Sequence, residues 1–388
     1  MFHFLDCNRI GYLLILTILS TLFLSYKGGV NFCVFMGNKN LTIDIVKGIA
    51  IILVVYGHVI EHSMAPWTQD FFQNPVFKII YTFHMPLFVF ISGYLMANSL
   101  NRNSVREVFK SRCKSLFVPF VSLSVLGGIM IYALGIIFGN NLGRVDILGD
   151  LADQLLLNPL VWFLFTLFVM SSVLLYSVKL EKHFGVIIFG PIYLLIMIIP
   201  YNNYCALYYI KWFYLFYAAG YFLNRYNIKI SNTALKAMVL LVSLIMFSLL
   251  VTYWTKNDYI YINKMNFVST QYFYEFLRVI YRYIMGFLGI IIVFYLGSCL
   301  LKTKMASFLG HIGMYSLDIY IIQMLTLEGI YPRWIYKARI HLDFSSPYVL
   351  YIVAPLITIF FVGTCVLISK FLIRKNYLLN KLLLGGRA

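Results

Sequence analysis

Charged residues are scarce in this sequence. Only 12% of its 388 residues are Asp, Glu, Lys or Arg, whereas 61% are hydrophobic. Soluble globular domains contain about 25% charged residues, so the composition excludes a soluble protein and predicts a polytopic integral membrane protein. Because a membrane-spanning helix takes roughly 20 residues, the chain has room for about ten spans and for no sizeable soluble domain.

Closely spaced cysteines and fixed-period repeats are also missing. The six cysteines are widely separated, and none belongs to a C-x-x-C pair or another metal-ligand spacing. This pattern disfavours a disulfide framework and a zinc site, and we expect no metal in the functional site. The lack of a visible repeat disfavours a transporter built from inverted repeats.

The apolar runs predict an all-α fold. Eleven hydrophobic segments lie at 10–26, 42–60, 76–98, 117–138, 159–178, 185–200, 207–223, 237–254, 273–300, 312–332 and 348–370. The last ten are predicted to form a ten-helix core.

The first hydrophobic segment has three possible readings: a signal peptide, an extra N-terminal helix or translated upstream sequence. Met36 begins a polar stretch suited to a cytoplasmic N-terminus. We therefore predict a dispensable extension over 1–35 and one transmembrane domain over 36–388.

Positive charge is in excess: 31 Lys and Arg against 14 Asp and Glu give a net charge of +17. If the stretch after the first segment is cytoplasmic, the connections on that side hold most of the cations. The positive-inside rule then predicts a cytoplasmic C-terminus. Topology thus accounts for the charge, and no nucleic-acid partner is expected.

Five ionisable residues form a stripe on the second apolar segment: Asp44, Lys47, His58, Glu61 and His62. On a helix, Lys47 and His58 share a face about 16 Å apart along the axis. Charges inside a bilayer are costly and normally face a cavity. The alternative is that Asp44 and Lys47 lie at one interface and that Glu61 and His62 lie in the outer headgroups. His58, beside Gly57, is the main functional candidate.

A second histidine, His84, lies two residues before Pro86 in the next apolar segment. Proline within a helix bends or breaks it and leaves carbonyl groups without partners. His84 could therefore be only a structural residue at a kink. Since the connection between the two segments is short, we expect antiparallel packing and a polar pocket that contains both histidines near the outer side.

Four blocks of sequence resemble the membrane-bound acyltransferase-3 family, which O-acetylates cell-envelope polysaccharides. They are Ile43-Asp44 through Gly57-His58, Phe83-His84-Met85-Pro86-Leu87-Phe88 with Ser92-Gly93-Tyr94, Trp162-Phe163-Leu164, and Tyr315 through Tyr320. The similarity extends from about 40 to 370. It departs from the family where Ser115 replaces the second arginine of R-x-x-R, with Lys114 as a possible substitute, and where Gln323 replaces a frequent histidine.

The resemblance implies an O-acetyltransferase in the bacterial inner membrane. Its donor would be cytoplasmic acetyl-CoA, and its acceptor would be a hydroxyl of a cell-envelope, capsular or O-antigen polysaccharide; lipids would surround it. His58 would act as a general base or as a transient acyl carrier. Glu61 would orient its imidazole, Lys47 would meet a carbonyl oxygen or a phosphate, and His84 would join the catalytic group.

Six further residues are candidate substrate contacts: Asp44, Arg112, Lys114, Trp162, Arg278 and Arg282. Arg112 and Lys114 would hold CoA phosphates, although cations there also serve as topology determinants or lipid contacts. Glu275, Arg278 and Arg282 fall on one helix face. The alternatives for the two arginines are a substrate contact and an ion pair with interfacial snorkelling.

Two rival functions fit the same composition. A transporter of polysaccharide or lipid-linked sugar would also have many spans and a few buried charges. A different membrane acyltransferase could use a buried histidine with a protein or lipid acceptor.

Overall fold

The computed structural model describes residues 39–68, 70–138, 147–157, 159–198, 207–228, 232–262, 272–340 and 342–386. Within these ranges all regular elements are helical and no strand occurs. The predicted all-α class is therefore confirmed. The predicted extension over 1–35, with its apolar segment 10–26, lies outside the described residues.

The described part contains fifteen α-helices. They are α1 Lys39–Met64, α2 Pro75–Arg102, α3 Val105–Arg112, α4 Val118–Phe138, α5 Ile147–Ala152, α6 Trp162–Phe184, α7 Phe189–Ile198, α8 Tyr209–Arg225, α9 Thr233–Leu250, α10 Tyr272–Leu300, α11 Met305–Met314, α12 Ser316–Gln323, α13 Tyr331–Lys337, α14 Ala354–Ile368 and α15 Tyr377–Leu383. Short π-helical segments join several of them, including α12 to α13 over Met324–Ile330.

Seven helical stretches in the described ranges are long and apolar enough to cross a membrane: Leu41–Met64, Pro75–Arg102, Val105–Phe138, Ile147–Phe184, Thr233–Tyr253, Phe273–Leu300 and Val349–Ile373. Met305–Met314 and Ser316–Lys337, which meet at a 59° bend, make an eighth if they count as one span. The predicted segments 185–200 and 207–223 correspond to shorter helices, Val186–Ile198 and α8. The protein is thus an integral membrane protein.

The turn between α1 and α2 is well specified by the sequence. The side chain of Asn74 accepts hydrogen bonds from the backbone N–H groups of Val76 and Phe77, at 3.0 and 3.1 Å. Pro75 occupies the first position of α2, where its missing N–H costs nothing. α2 then continues past Pro86 to Arg102, so the break that Pro86 predicted does not occur.

Glycines allow close helix packing around α1 and α2. A Cβ atom on Gly48 of α1 would collide with the Leu309 carbonyl of α11, and one on Gly313 would collide with the Asp44 carbonyl. Gly93 of α2 meets the Tyr217 backbone of α8 in the same way. In a membrane the hydrophobic effect does not drive helices together, so they associate through close packing, which small residues permit. Both helices that bear the predicted histidines are therefore fixed inside the bundle.

Candidate active site

His58 lies near the end of α1 with its side chain only 14% exposed. Its Nδ1 atom is 3.7 Å from a carboxylate oxygen of Glu61, one turn further along α1. It is also 3.6 Å from a carboxylate oxygen of Glu328, in the π-helical segment after α12. Two carboxylates from separate parts of the chain thus flank one imidazole.

A second histidine extends this cluster. The His62 ring stacks on the His58 ring, with centroids 5.4 Å apart and planes within 3°. From α2, the Tyr81 hydroxyl donates a hydrogen bond to Glu61. The predicted packing of α1 against α2 is therefore present, and it holds one of the two flanking carboxylates in place.

His84 faces the same cavity as His58, and its ring meets Tyr81 edge-on at 4.7 Å. Its Nδ1 lies 2.8 Å from the Ile80 carbonyl, so that nitrogen is occupied by the backbone. Pro86 removes the N–H that would otherwise bond the Thr82 carbonyl, and Thr82 also lines the cavity. His84 thus lines the cavity that contains His58, and its Nδ1 is already hydrogen-bonded to the backbone.

The cavity beside His58, here called the His58 cavity, measures about 350 Å³. Its wall includes twelve aromatic side chains: Tyr81, Trp162, Tyr208, Tyr209, Trp212, Phe213, Phe216, Trp254, Tyr259, Tyr261, Tyr283 and Tyr320. Trp162, at the start of α6, stacks on Tyr209 with centroids 4.0 Å apart. Rigid aromatic walls with a few polar groups are typical of small-molecule sites.

The two arginines predicted on one face of α10 have different environments. Arg278 forms ion pairs with Glu275 at 2.8 Å and with Asp258 at 3.3 Å. Arg282 is 5% exposed, lines the His58 cavity and lies over the Trp212 ring at 4.0 Å. Its Nη2 donates to the Asn257 carbonyl at 2.8 Å, whereas its buried Nε and Nη1 have no hydrogen-bond partner. Arg282 therefore retains donors for a ligand.

Tyr261 contributes another unoccupied donor. Its buried hydroxyl has no hydrogen-bond partner, and its side chain lines the His58 cavity. Burial and, after it, the charge of the nearby Glu61 carboxylate raise the pKa of Tyr261 well above its usual value of 10. The phenol consequently stays protonated and able to donate a hydrogen bond at neutral pH.

A second cavity of about 190 Å³, here called the Lys47 cavity, adjoins the first. Lys47 and Arg112 line it, and Lys47 pairs with Asp44 at 2.6 Å. Lys114 is exposed and lines neither cavity. Three residues, Val54, Met85 and Tyr320, line both cavities. The predicted stripe on α1 thus runs from one cavity to the other across a shared wall.

Sequence reasoning missed Glu328, Tyr81 and Tyr261. Glu328 did give a signal, since a carboxylate inside the apolar segment 312–332 is costly and marks a functional position. The tyrosines gave none, because 31 tyrosines occur in the chain. Gln323, to which no catalytic role was assigned, is fully buried on α12.

The site consists of a buried histidine, two carboxylates and an aromatic cavity inside a bundle of membrane helices. This arrangement indicates an enzyme embedded in the membrane. The family described as "Acyltransferase domain" matches residues 40–373 of this chain. The chain belongs to this acyltransferase family, the family that the sequence motifs predicted.

Two relatives show local similarity. The chain is 44% identical over 84 residues to "Nodulation protein NolL" of Sinorhizobium fredii, which covers 22% of this chain and 23% of that protein. It is 34% identical over 132 residues to "Nodulation protein NolL" of Mesorhizobium japonicum, which covers 34% of each. The chain thus spans about a third or less of the length of the curated relatives it matches. No solved structure matches.

Proposed function

We propose that this acyltransferase is an O-acetyltransferase that moves an acetyl group from cytoplasmic acetyl-CoA to a hydroxyl of a cell-envelope, capsular or O-antigen polysaccharide. The observation that supports this best is the pair of adjoining cavities. One has cations at its wall, and the other contains an imidazole between two carboxylates. A reaction between a cytoplasmic thioester and an acceptor across the membrane needs two access routes that meet at one base.

The proposed reaction uses His58 as the general base. Its imidazole removes the proton of the acceptor hydroxyl, whose oxygen attacks the thioester carbonyl; the C–S bond then breaks and CoA leaves as the thiol after protonation. The Glu61 and Glu328 carboxylates stabilise the imidazolium that forms. In the alternative route, His58 first takes the acetyl group on nitrogen and then passes it to the hydroxyl.

Two groups on the cavity wall suit the remaining steps. The oxyanion that develops on the carbonyl needs a fixed donor, and the protonated Tyr261 hydroxyl is free to supply one. Arg282, stacked on Trp212 with Nε and Nη1 free of hydrogen bonds, suits an oxygen-rich acceptor. Trp162 and its aromatic neighbours offer flat surfaces against which sugar rings can pack.

Lys47 and Arg112 are the proposed contacts for the anionic part of the donor, because both line the Lys47 cavity. Asp44 would hold the Lys47 ammonium in position through their 2.6 Å ion pair. The exposed Lys114 would meet CoA phosphates at the mouth, and Arg278 would support the Arg282 end of the site. His84 would shape the wall opposite His58.

The proposed topology retains the sequence-based assignment. Ten helices of the unit 36–388 would cross the bacterial inner membrane, with Val186–Ile198 and α8 as the two short ones, and the C-terminus would be cytoplasmic. The cation-lined Lys47 cavity then faces the compartment that contains acetyl-CoA. The His58 cavity faces the compartment where envelope glycans are assembled.

Purified protein in lipid nanodiscs, given acetyl-CoA labelled in its acetyl group and a crude envelope glycan fraction, tests this proposal. We expect label in the glycan with wild-type protein and with His183→Gln, an exposed histidine at the end of α6. We expect none with His58→Gln. Label in a lipid or a protein instead would favour the rival acceptors. Glycan movement into sealed vesicles without any labelling would refute the proposal in favour of transport.

A further inference from the structure

Four potential metal ligands meet at the end of α1. His58, Glu61 and His62 each offer one ligand atom, and these atoms all lie within 4.8 Å of one another. Glu328 adds a fourth, since its carboxylate oxygen is 3.6 Å from Nδ1 of His58. Two imidazole nitrogens with carboxylate oxygens are a donor set that Zn²⁺ and related divalent ions prefer.

The spacings fit a cation better than they fit direct hydrogen bonds. Nδ1 of His58 lies 3.7 Å from Glu61 and 3.6 Å from Glu328, beyond the usual hydrogen-bond range of about 2.7–3.2 Å. Ligands held about 2.0–2.2 Å from a tetrahedral Zn²⁺ are roughly 3.3–3.6 Å from each other. The His58–carboxylate distances are already close to this separation. Binding of one ion would bring the outermost ligand atoms, which lie within 4.8 Å of one another, about 1 Å closer and would rotate one of the two parallel imidazole rings.

The ring nitrogens in this cluster also lack partners. Nδ1 of His58 and Nε2 of His62 are both buried and without a hydrogen bond. Buried polar atoms are normally satisfied, so such exceptions call for an explanation, and a bound ion is one. A divalent cation would satisfy both nitrogens, and two carboxylates would cancel its charge, which limits the cost of burying it.

The local sequence is suited to this role. His58-Val59-Ile60-Glu61-His62 has the spacing H-x-x-E-H, which puts two imidazoles on one side of a helix, and zinc peptidases use the same spacing. A carboxylate from elsewhere in the chain then adds the third protein ligand. Glu328 supplies that carboxylate here.

We propose that His58, His62 and Glu328, with Glu61 beside them, form a binding site for one divalent cation of the Zn²⁺ type. The bound ion occupies the place where the imidazolium proton is stabilised. Zn²⁺ therefore inhibits acyl transfer, a consequence that rests on the proposed function of His58. The binding itself does not depend on the reaction.

Metal binding is tested on the purified full chain, freed of any histidine tag and stripped with a chelator. Zn²⁺ is titrated in competition with a chromophoric chelator, without acyl donor. We expect one Zn²⁺ per chain, and at least about tenfold weaker binding in His62→Gln and in Glu328→Gln, since loss of a mere supporting group already costs about tenfold or more. His183→Gln is the matched control and should bind as wild type does.

Co²⁺ gives an independent readout. A site of this geometry should show the visible absorption bands of tetrahedral Co²⁺, and His62→Gln should lose them while its helical circular dichroism remains. Wild-type binding no tighter than that of the double variant His62→Gln/Glu328→Gln would overturn the proposal.

Inhibition is measured separately in the labelled-acetyl assay. Chelated enzyme should be active, added Zn²⁺ should inhibit it, and excess chelator should restore it. Transfer that is insensitive to bound Zn²⁺ would overturn the inhibitory role but leave the proposed function intact. Absent transfer with normal Zn²⁺ binding would refute the proposed function and leave the metal site intact.

Discussion

The Glu328 carboxylate oxygen lies 3.6 Å from Nδ1 of His58, although the two residues belong to helical segments that are far apart in the sequence. Glu61 approaches the same nitrogen to 3.7 Å. His58 therefore faces two carboxylates of different origin, one from its own helix and one fixed by the fold.

Replacement of His58 should remove most of the activity. We expect His58→Gln to lower kcat for acyl transfer at least about 100-fold, because a positioned general base contributes about 10²–10⁴-fold. Initial rates with labelled donor measure this change. His183→Gln should retain the wild-type rate, and comparable thermal unfolding of the two variants would show that folding is intact. Turnover by His58→Gln near the wild-type level would exclude His58 from the chemistry.

The two carboxylates should act as a unit. We expect Glu61→Gln and Glu328→Gln each to lower kcat about tenfold, since each stabilises the same imidazolium. The double variant should lose less than the product of the two single effects, because groups that contact one partner are energetically coupled. A double-mutant cycle on kcat measures the coupling; independent, multiplicative losses would contradict a shared partner.

Arg282 should act on the acceptor. We expect Arg282→Gln to raise the acceptor KM about tenfold and to change the donor KM little, because one hydrogen bond to a charged group contributes about 1.5 kcal/mol or more. Steady-state kinetics with each substrate varied in turn separate the two effects. Lys256→Gln, an exposed cation of the segment before α10, serves as the control. An increase confined to the donor KM would assign Arg282 to the other substrate.

Lys47 and Arg112 should act on the donor. We expect Lys47→Gln and Arg112→Gln each to raise the acyl-donor KM about tenfold, by the same argument of one charged hydrogen bond lost. Lys179→Gln removes an exposed cation of α6 and should have no effect. Truncated donors without phosphates offer a further check, because the variants and the wild type should have the same KM for them. Unchanged donor KM values would show that these cations do not bind the donor and serve only to set the membrane topology.

The Arg374–Asp318 pair should contribute to stability. Asp318 is 1% exposed, pairs with Arg374 at 2.8 Å and accepts a hydrogen bond from Ser369. Arg374→Gln leaves this buried carboxylate without its cation and should cost about 2 kcal/mol, below the 3–5 kcal/mol of a fully buried pair because Arg374 is partly exposed. Thermal unfolding in detergent measures the loss. Lys375→Gln, its exposed neighbour, should unfold as wild type does.

Most helix positions could be predicted from the sequence because an apolar run in a membrane satisfies its backbone hydrogen bonds as a helix. The runs at 42–60 and 76–98 correspond to α1 and α2 within a few residues. Two local features of the helices could not be predicted. The chain bends by 59° beside Tyr315, and α2 continues past Pro86, because neighbouring helices rather than local preferences decide both.

The candidate site was partly predictable. Glu61 and His62 follow His58 by three and four residues, so helical periodicity alone predicts that both lie beside it on one face. The different environments of Arg278 and Arg282 depend on Asp258 and Trp212, whose positions follow from long-range packing. The Tyr261 donor lies outside regular helices, where periodicity gives no information.

Val54, Met85 and Tyr320 form the wall that both cavities share. If donor and acceptor meet there, these three side chains are also what stops protons and ions from leaking across the membrane between turnovers. The proposed reaction requires the cavities to open wide enough for a thioester arm while the wall stays closed to ions. We therefore expect smaller residues at Met85 to give a conductance in planar bilayers.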